Sequence, residues 1–107
     1  MIKKGDIVLV SFPFTNLEGN KRRPAVILFV GELDVVAAFI TSRINNPTSF
    51  EMLINPSKNN QLKKPSLIKT TKVCILDKKL IKGKLGSLTL EEREKLSAML
   101  RQAFKLD

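Results

Sequence analysis

The sequence predicts a mainly β domain, a small and strongly bent sheet or barrel, that ends in one α-helix. Short apolar runs rich in β-branched residues recur between polar or glycine-containing segments, which is typical of short strands. A helical stripe of apolar residues appears near the C-terminus. The chain has 107 residues, of which 43% are hydrophobic, so we expect a single packed domain over residues 1–107.

Three strands are predicted in the first half of the chain. Residues 7–12 form the first apolar run, and residues 24–30 and 35–44 form the second and third. The connection 31–34 is short, so we expect the second and third strands to form a hairpin. The runs are continuous rather than alternating, which indicates strands that are buried on both faces.

The second half contains three shorter strands, at residues 50–54, 66–76 and 81–85. A polar and basic segment, residues 55–65, separates the first two of these and is predicted to be a loop.

The C-terminal helix is predicted by its apolar stripe and by its N-terminal cap. Thr89 is followed three residues later by Glu92, the spacing of a capping box. The stripe has the spacing i, i+3, i+4, i+7, i+8 and consists of Leu96, Met99, Leu100, Ala103 and Phe104.

The six phenylalanines are divided between the core and a candidate ligand surface. Four of them lie within apolar patterns, so we expect Phe12, Phe29, Phe39 and Phe104 in the core. Phe14 stands at the start of the polar loop 15–21 and Phe50 follows a polar turn, and for each of them a core position and a ligand-facing position both remain open.

The residue types that are absent exclude several kinds of chemistry. The chain has no histidine, tryptophan or tyrosine, and Cys74 is its only cysteine. An intramolecular disulfide is therefore excluded, and a reducing cytoplasm is the expected location. The chain lacks the histidines and the several cysteines that usually bind zinc. A Cys–His dyad is excluded because Cys74 has no histidine partner. No apolar run approaches the roughly 20 residues that a membrane-spanning helix needs.

The net charge of +9 is concentrated in one part of the chain. Residues 58–84 contain nine lysines and a single acidic residue, Asp77. The positive field of such a lysine cluster attracts polyanions, which favours a nucleic acid as the partner. A merely solvated surface remains an alternative, whereas a membrane surface is disfavoured because no basic amphipathic helix accompanies the charge.

Two short segments carry candidate site residues. Lys21, Arg22 and Arg23 precede Pro24 at the start of the second strand, and Thr41-Ser42-Arg43 ends the third. A guanidinium group donates two parallel hydrogen bonds, which suits a phosphate. From spacing alone, a solvated basic turn explains the first segment equally well.

These segments closely resemble the MazF/PemK-type toxin endoribonucleases. The similarity is carried by residues 5–10 (Gly-Asp-Ile-Val-Leu-Val), 12–15 (Phe-Pro-Phe-Thr), 21–27 (Lys-Arg-Arg-Pro-Ala-Val-Ile), 41–42 (Thr-Ser), 66–69 (Ser-Leu-Ile-Lys) and 75–78 (Ile-Leu-Asp-Lys). It extends through essentially the whole chain and is most specific in the first 45 residues.

The resemblance implies an SH3-like, MazF/PemK-type barrel that acts as a homodimer. It also implies cleavage of single-stranded RNA, chiefly messenger RNA, at short sequence motifs without a metal or cofactor. An acidic cognate antitoxin is expected to occupy the RNA site and to provide any contact with DNA.

The same resemblance assigns roles to individual residues. The family's essential arginine before proline corresponds to Arg23, and its essential threonine at the strand end corresponds to Thr41. We expect Arg23 to hold the phosphate and Thr41 to orient it. The further residues expected to bind RNA are Phe14, Glu18, Lys21, Arg22, Ser42, Arg43, Lys69 and Lys72.

Two other functions are compatible with the sequence. Toxins that poison DNA gyrase share this fold class, but they do not need the arginine and threonine pair. A non-catalytic basic barrel that binds nucleic acid needs only the lysine cluster.

Overall fold

The computed structural model describes residues 2–11, 22–45 and 50–106. Within these ranges the elements are β1 (Asp6–Ser11), β2 (Arg22–Val30), β3 (Asp34–Thr41), β4 (Glu51–Ile54), β5 (Ser66–Asp77), a 3₁₀ turn (Lys78–Leu80), β6 (Ile81–Ser87) and α1 (Leu90–Phe104). The mainly β class with a C-terminal helix is thus confirmed. In the part of the chain just given, no helix is long and apolar enough to cross a membrane.

The strands form one antiparallel sheet in the order β4-β5-β3-β2-β1-β6. The predicted hairpin of β2 and β3 is confirmed, and the backbone N–H of Gly31 donates to the carbonyl of Asp34 at 2.8 Å to close it.

Both faces of the central strands are buried, as their continuous apolar runs predicted. Ala25, Val26 and Ile27 are consecutive residues of β2 and are all fully buried. Since successive side chains of a strand point to opposite faces, they belong to two clusters. Val26 packs in the cluster that includes Leu96 of α1, whereas Ala25 and Ile27 pack in a second cluster with Val35.

The helix begins where the sequence places it. The Thr89 hydroxyl accepts from the backbone N–H of Glu92 at 3.2 Å, and the Glu92 carboxylate accepts from the N–H of Thr89 at 2.9 Å, which completes the capping box. Leu96 is buried, and Met99 and Leu100 pack against the same cluster.

The core prediction is wrong for two of the phenylalanines. Phe29 is 62% exposed because the pairing of β2 with β3 shifts register between Ile27 and Phe29. This bulge moves Phe29 from the face of Ile27 to the face of Val36, its partner on β3. Phe104 is the last residue of α1 and is 47% exposed. Phe39 packs against the second cluster, and Phe12 lies outside the described residues.

Candidate functional site

A cleft forms where β2 and β3 separate. The pairing of β2 with β3 starts at Ala25, opposite Phe39, while the preceding residues 22–24 pair with β1. Pro24 has no backbone N–H and therefore cannot donate to a ladder at this point. On β3, Thr41 pairs instead with Leu67 of β5. The start of β2 and the end of β3 therefore pair with different strands and not with each other.

The pairing of β3 with β5 is irregular near the end of β3. Ala38 pairs with Val73, but Ile40, only two residues later, pairs with Ile68. The intervening segment of β5 bends the strand, as extra residues in one strand do. The first part of β5, from Ser66, pairs with β4.

The resulting space is a basic cleft of about 830 Å³. Strand ends provide Arg22, Arg23, Thr41, Ser42 and Arg43, and the loop between β4 and β5 provides Gln61, Leu62, Lys63 and Lys64; Leu9, Pro24, Ile40, Ser66 and Leu85 complete the lining. Five of these residues are cationic, and no carboxylate belongs to the described lining. The positive field of such a cleft concentrates anions at its mouth.

The Thr41 hydroxyl is held in place at the end of β3. Its oxygen accepts from the backbone N–H of Arg43 at 3.1 Å. This bond turns the chain, so β3 ends at Thr41 and not at residue 44 as predicted. The hydroxyl proton remains able to rotate towards an anion in the cleft.

The structure brings together five of the ten residues that the sequence nominated. Arg22, Arg23, Thr41, Ser42 and Arg43 line the basic cleft, and all except the half-buried Thr41 are exposed. Phe14, Glu18 and Lys21 lie outside the described residues.

Lys69 and Lys72 lie elsewhere on β5. The Lys69 ammonium is 3.0 Å from the Glu51 carboxylate, in the paired region of β4 and β5. Lys72 is exposed and, like Lys69, does not line the cleft.

Sequence reasoning did not nominate the loop residues Gln61, Lys63 and Lys64 as site residues. Their only sequence signal was the lysine-rich composition of residues 58–84. Their position depends on a contact between distant segments, in which the backbone N–H of Ser87 donates to the carbonyl of Asn59 at 2.8 Å.

Cys74 lies outside the cleft, and burial raises the pKa of its thiol, which disfavours the nucleophilic thiolate.

Several solved structures share this fold. The Mycobacterium tuberculosis toxin MazF-mt6 has a TM-score of 0.77 at 20% identity, with 95% of this chain and 98% of that chain covered. A mycobacterial endoribonuclease in complex with its cognate antitoxin has a TM-score of 0.79 at 18% identity, with 100% and 98% covered. The MazE–MazF complex of Deinococcus radiodurans has a TM-score of 0.77 at 18% identity, with 99% and 97% covered.

These similarities establish the MazF barrel-like fold that the resemblance implied. No curated protein sequence matches the chain significantly. The family model of PemK-like, MazF-like toxins of type II toxin–antitoxin systems matches residues 3–104. From the opening strand to the end of the helix, the chain therefore belongs to the PemK-like, MazF-like toxins of type II toxin–antitoxin systems.

Proposed function

We propose that this protein is a metal-independent, sequence-selective endoribonuclease that cleaves single-stranded RNA in the basic cleft. As a toxin it would act in the cytoplasm on messenger RNA, and so stop translation and growth. The observation that carries the proposal is the meeting of Arg23, Thr41 and four further cationic side chains in one cleft of a toxin-family chain.

The proposed reaction needs no nucleophile from the protein. The 2′-hydroxyl oxygen of RNA attacks the adjacent phosphorus, and the bond from phosphorus to the 5′-oxygen breaks. The 2′-oxygen loses a proton and the departing 5′-oxygen gains one, so the products are a 2′,3′-cyclic phosphate and a 5′-hydroxyl. The main task of the protein is therefore to hold the reacting oxygens in line and to stabilise the charge of the transition state.

Arg23 and Thr41 are suited to that task. A guanidinium stays protonated at neutral pH, so Arg23 stabilises the non-bridging oxygens and does not transfer a proton. One such preorganised donor contributes roughly 3–4 kcal/mol to transition-state stabilisation. The Thr41 hydroxyl, already fixed through the Arg43 amide, orients the phosphate. Arg22, Arg43, Lys63 and Lys64 hold the neighbouring phosphates and provide affinity.

The antitoxin is proposed to bind the same cleft. Two of the similar structures are complexes of a toxin-family protein with an antitoxin. An acidic, flexible segment of a cognate antitoxin would pair with the cationic lining and exclude RNA by competition. DNA would be contacted only through that antitoxin.

A homodimer is proposed as the working form. The exposed apolar residues Phe29 and Ile75 both lie beside Val36, because Val36 is the register partner of each. This row is at the far end of the β2–β3 hairpin from Arg23, so a second copy packed on it would leave the cleft open. We call these three residues the apolar row.

One experiment separates the proposed activity from the two alternatives. Purified protein is incubated with single-stranded RNA in EDTA, and the fragment ends are identified by mass spectrometry. Cyclic phosphate ends, lost when the nucleotide at the cut carries 2′-deoxyribose, are the expected result. Intact RNA bound in a salt-dependent manner would instead identify a passive binding protein. Inhibition of DNA supercoiling without RNA cleavage would identify a gyrase poison.

A further inference from the structure

The loop between β4 and β5 is organised around one buried side chain. Asn60 is fully buried, and its Oδ1 accepts from the backbone N–H groups of Ser57 at 3.0 Å and Leu62 at 2.9 Å. Its Nδ2 donates to the carbonyl of Asn55 at 2.8 Å. These bonds tie the loop together from residue 55 to residue 62, so its backbone has a defined conformation.

The same loop is docked on β6. The Asn59 carbonyl accepts the hydrogen bond from Ser87, and a Cβ atom at Gly86 would lie only 2.3 Å from that carbonyl oxygen. The loop backbone therefore rests directly on a residue without a side chain. This docking places Gln61, Lys63 and Lys64 along one wall of the basic cleft.

Gln61 adopts a backbone conformation that its side chain disfavours. Its φ is 57°, in the left-handed region that glycine occupies without strain. The position nevertheless carries a long amide side chain, which is exposed at the cleft. Residues held in such conformations by the surrounding structure concentrate at binding sites.

The loop orients the Gln61 amide through one hydrogen bond and leaves its other hydrogen-bonding positions available. Its Nε2 donates to the carbonyl of Lys58 at 2.7 Å. A glutamine amide has two N–H donors and a carbonyl oxygen with two acceptor positions. The bond to Lys58 uses one donor, so the group keeps both donor and acceptor capacity for a ligand.

The chemistry of an amide differs from that of the other groups in the wall. Guanidinium and ammonium groups pair with phosphates, which are the same at every nucleotide. A neutral group that both donates and accepts matches the edge of a nucleobase, which is exposed in single-stranded RNA. We propose that Gln61 is a specificity-determining residue whose amide hydrogen-bonds one nucleobase beside the scissile phosphate. This inference rests on the proposed endoribonuclease function and names a residue of this chain that would select the base.

Three variants separate base recognition from a purely structural role. Gln61→Gly removes both the side chain and the backbone strain, and Gln61→Met keeps the length of the side chain without its amide. Asn59→Ala is the matched control, because Asn59 is an exposed amide residue of the same loop that does not line the cleft.

Each protein digests a library of single-stranded RNA with randomised sequence in EDTA, and the fragment ends are sequenced. We expect the wild type and Asn59→Ala to discriminate between bases at the same positions. Both Gln61 variants should lose about tenfold or more of the discrimination at one position, with the other positions unchanged. Thermal unfolding of Gln61→Gly should match that of the wild type.

Two results would overturn this inference alone. Gln61 variants that keep the full base preference would show that the amide reads no base. An equal loss at every position, together with a lower Tm of Gln61→Gly, would show that Gln61 only supports the loop. A library left intact by the wild type would refute the endoribonuclease proposal itself, and base selection with it, so the two failures are distinguishable.

Discussion

Thr41 shows how one residue gains a role from its place at a strand end. Within a strand, its hydroxyl would point to one face of the sheet among apolar neighbours. At the end of β3 its oxygen accepts from the Arg43 backbone, which leaves the proton as a donor to the cleft. The hydroxyl alone should therefore account for the contribution of Thr41 to cleavage.

The first prediction concerns this hydroxyl. Thr41→Val keeps the shape of the side chain but removes the donor to the phosphate, so the single-turnover cleavage rate should fall about 10- to 100-fold. Thr41→Ser restores the hydroxyl and should retain most of the rate. A valine variant as active as the serine variant would contradict the role that we assign to Thr41.

At the scale of elements, the cleft depends on how the loop between β4 and β5 rests on β6. The contact involves backbone on both sides, at Asn59 and Gly86. A side chain inserted at this point cannot be accommodated by a change of rotamer, because the nearest atoms belong to the main chain. Gly83, on the same strand, has no atom of the described residues within 4 Å of where its Cβ would lie.

The second prediction uses this pair of glycines. Gly86→Ala should destabilise the fold by about 2 kcal/mol, because the loop must move off the strand, and should lower the Tm by roughly 8–12 °C. Gly83→Ala, the matched control, should leave the Tm unchanged or slightly higher. Differential scanning calorimetry measures both. Equal Tm values for the two variants would show that the loop does not rest on Gly86 as described.

At the scale of the whole molecule, charge and apolar surface are separated. The basic cleft lies between the start of β2 and the end of β3, whereas the apolar row lies at the other end of the same hairpin. Phe29 and Ile75 are 62% and 73% exposed on either side of Val36, and this exposed apolar surface is the reason for proposing an interface there. The positive field therefore faces the proposed substrate, and the row is the proposed interface with a second copy.

The third prediction tests the dimer. Ile75→Lys places a charge in the apolar row, so it should convert a dimer into a monomer without unfolding a chain in which this side chain is already exposed. Leu53→Lys is the matched control, because Leu53 on β4 is 54% exposed outside the row. Sedimentation equilibrium distinguishes the two forms. Dimers of unchanged affinity in Ile75→Lys would place the interface elsewhere.

Local signals explain why much of the fold was predictable. The capping box of Thr89 and Glu92 and the short connection of β2 and β3 are contained within a few residues, so their spacing is sufficient. The bulge that exposes Phe29 was not predictable, because a one-residue shift of register leaves composition unchanged but reverses the face. The end of β3 was missed because it depends on one side-chain hydrogen bond.

The candidate site was predictable in a different way. The assignment of Arg23 and Thr41 to one site came from the resemblance to a family, since the spacing alone left a solvated turn equally open. The structure adds that strand divergence places both residues on one cleft. Gln61 escaped prediction because the contact that positions it joins segments far apart in the chain.

The most direct test of the proposed activity compares the cleavage rates of two arginine variants. Arg23→Ala removes the proposed phosphate donor, and Arg101→Ala removes an exposed arginine of α1 outside the cleft. In single-turnover cleavage of single-stranded RNA in EDTA, Arg23→Ala should be slower than the wild type by about 10²–10³-fold, and Arg101→Ala should be as fast. A folded Arg23→Ala protein that produces the same cyclic phosphate ends at the wild-type rate would contradict the account.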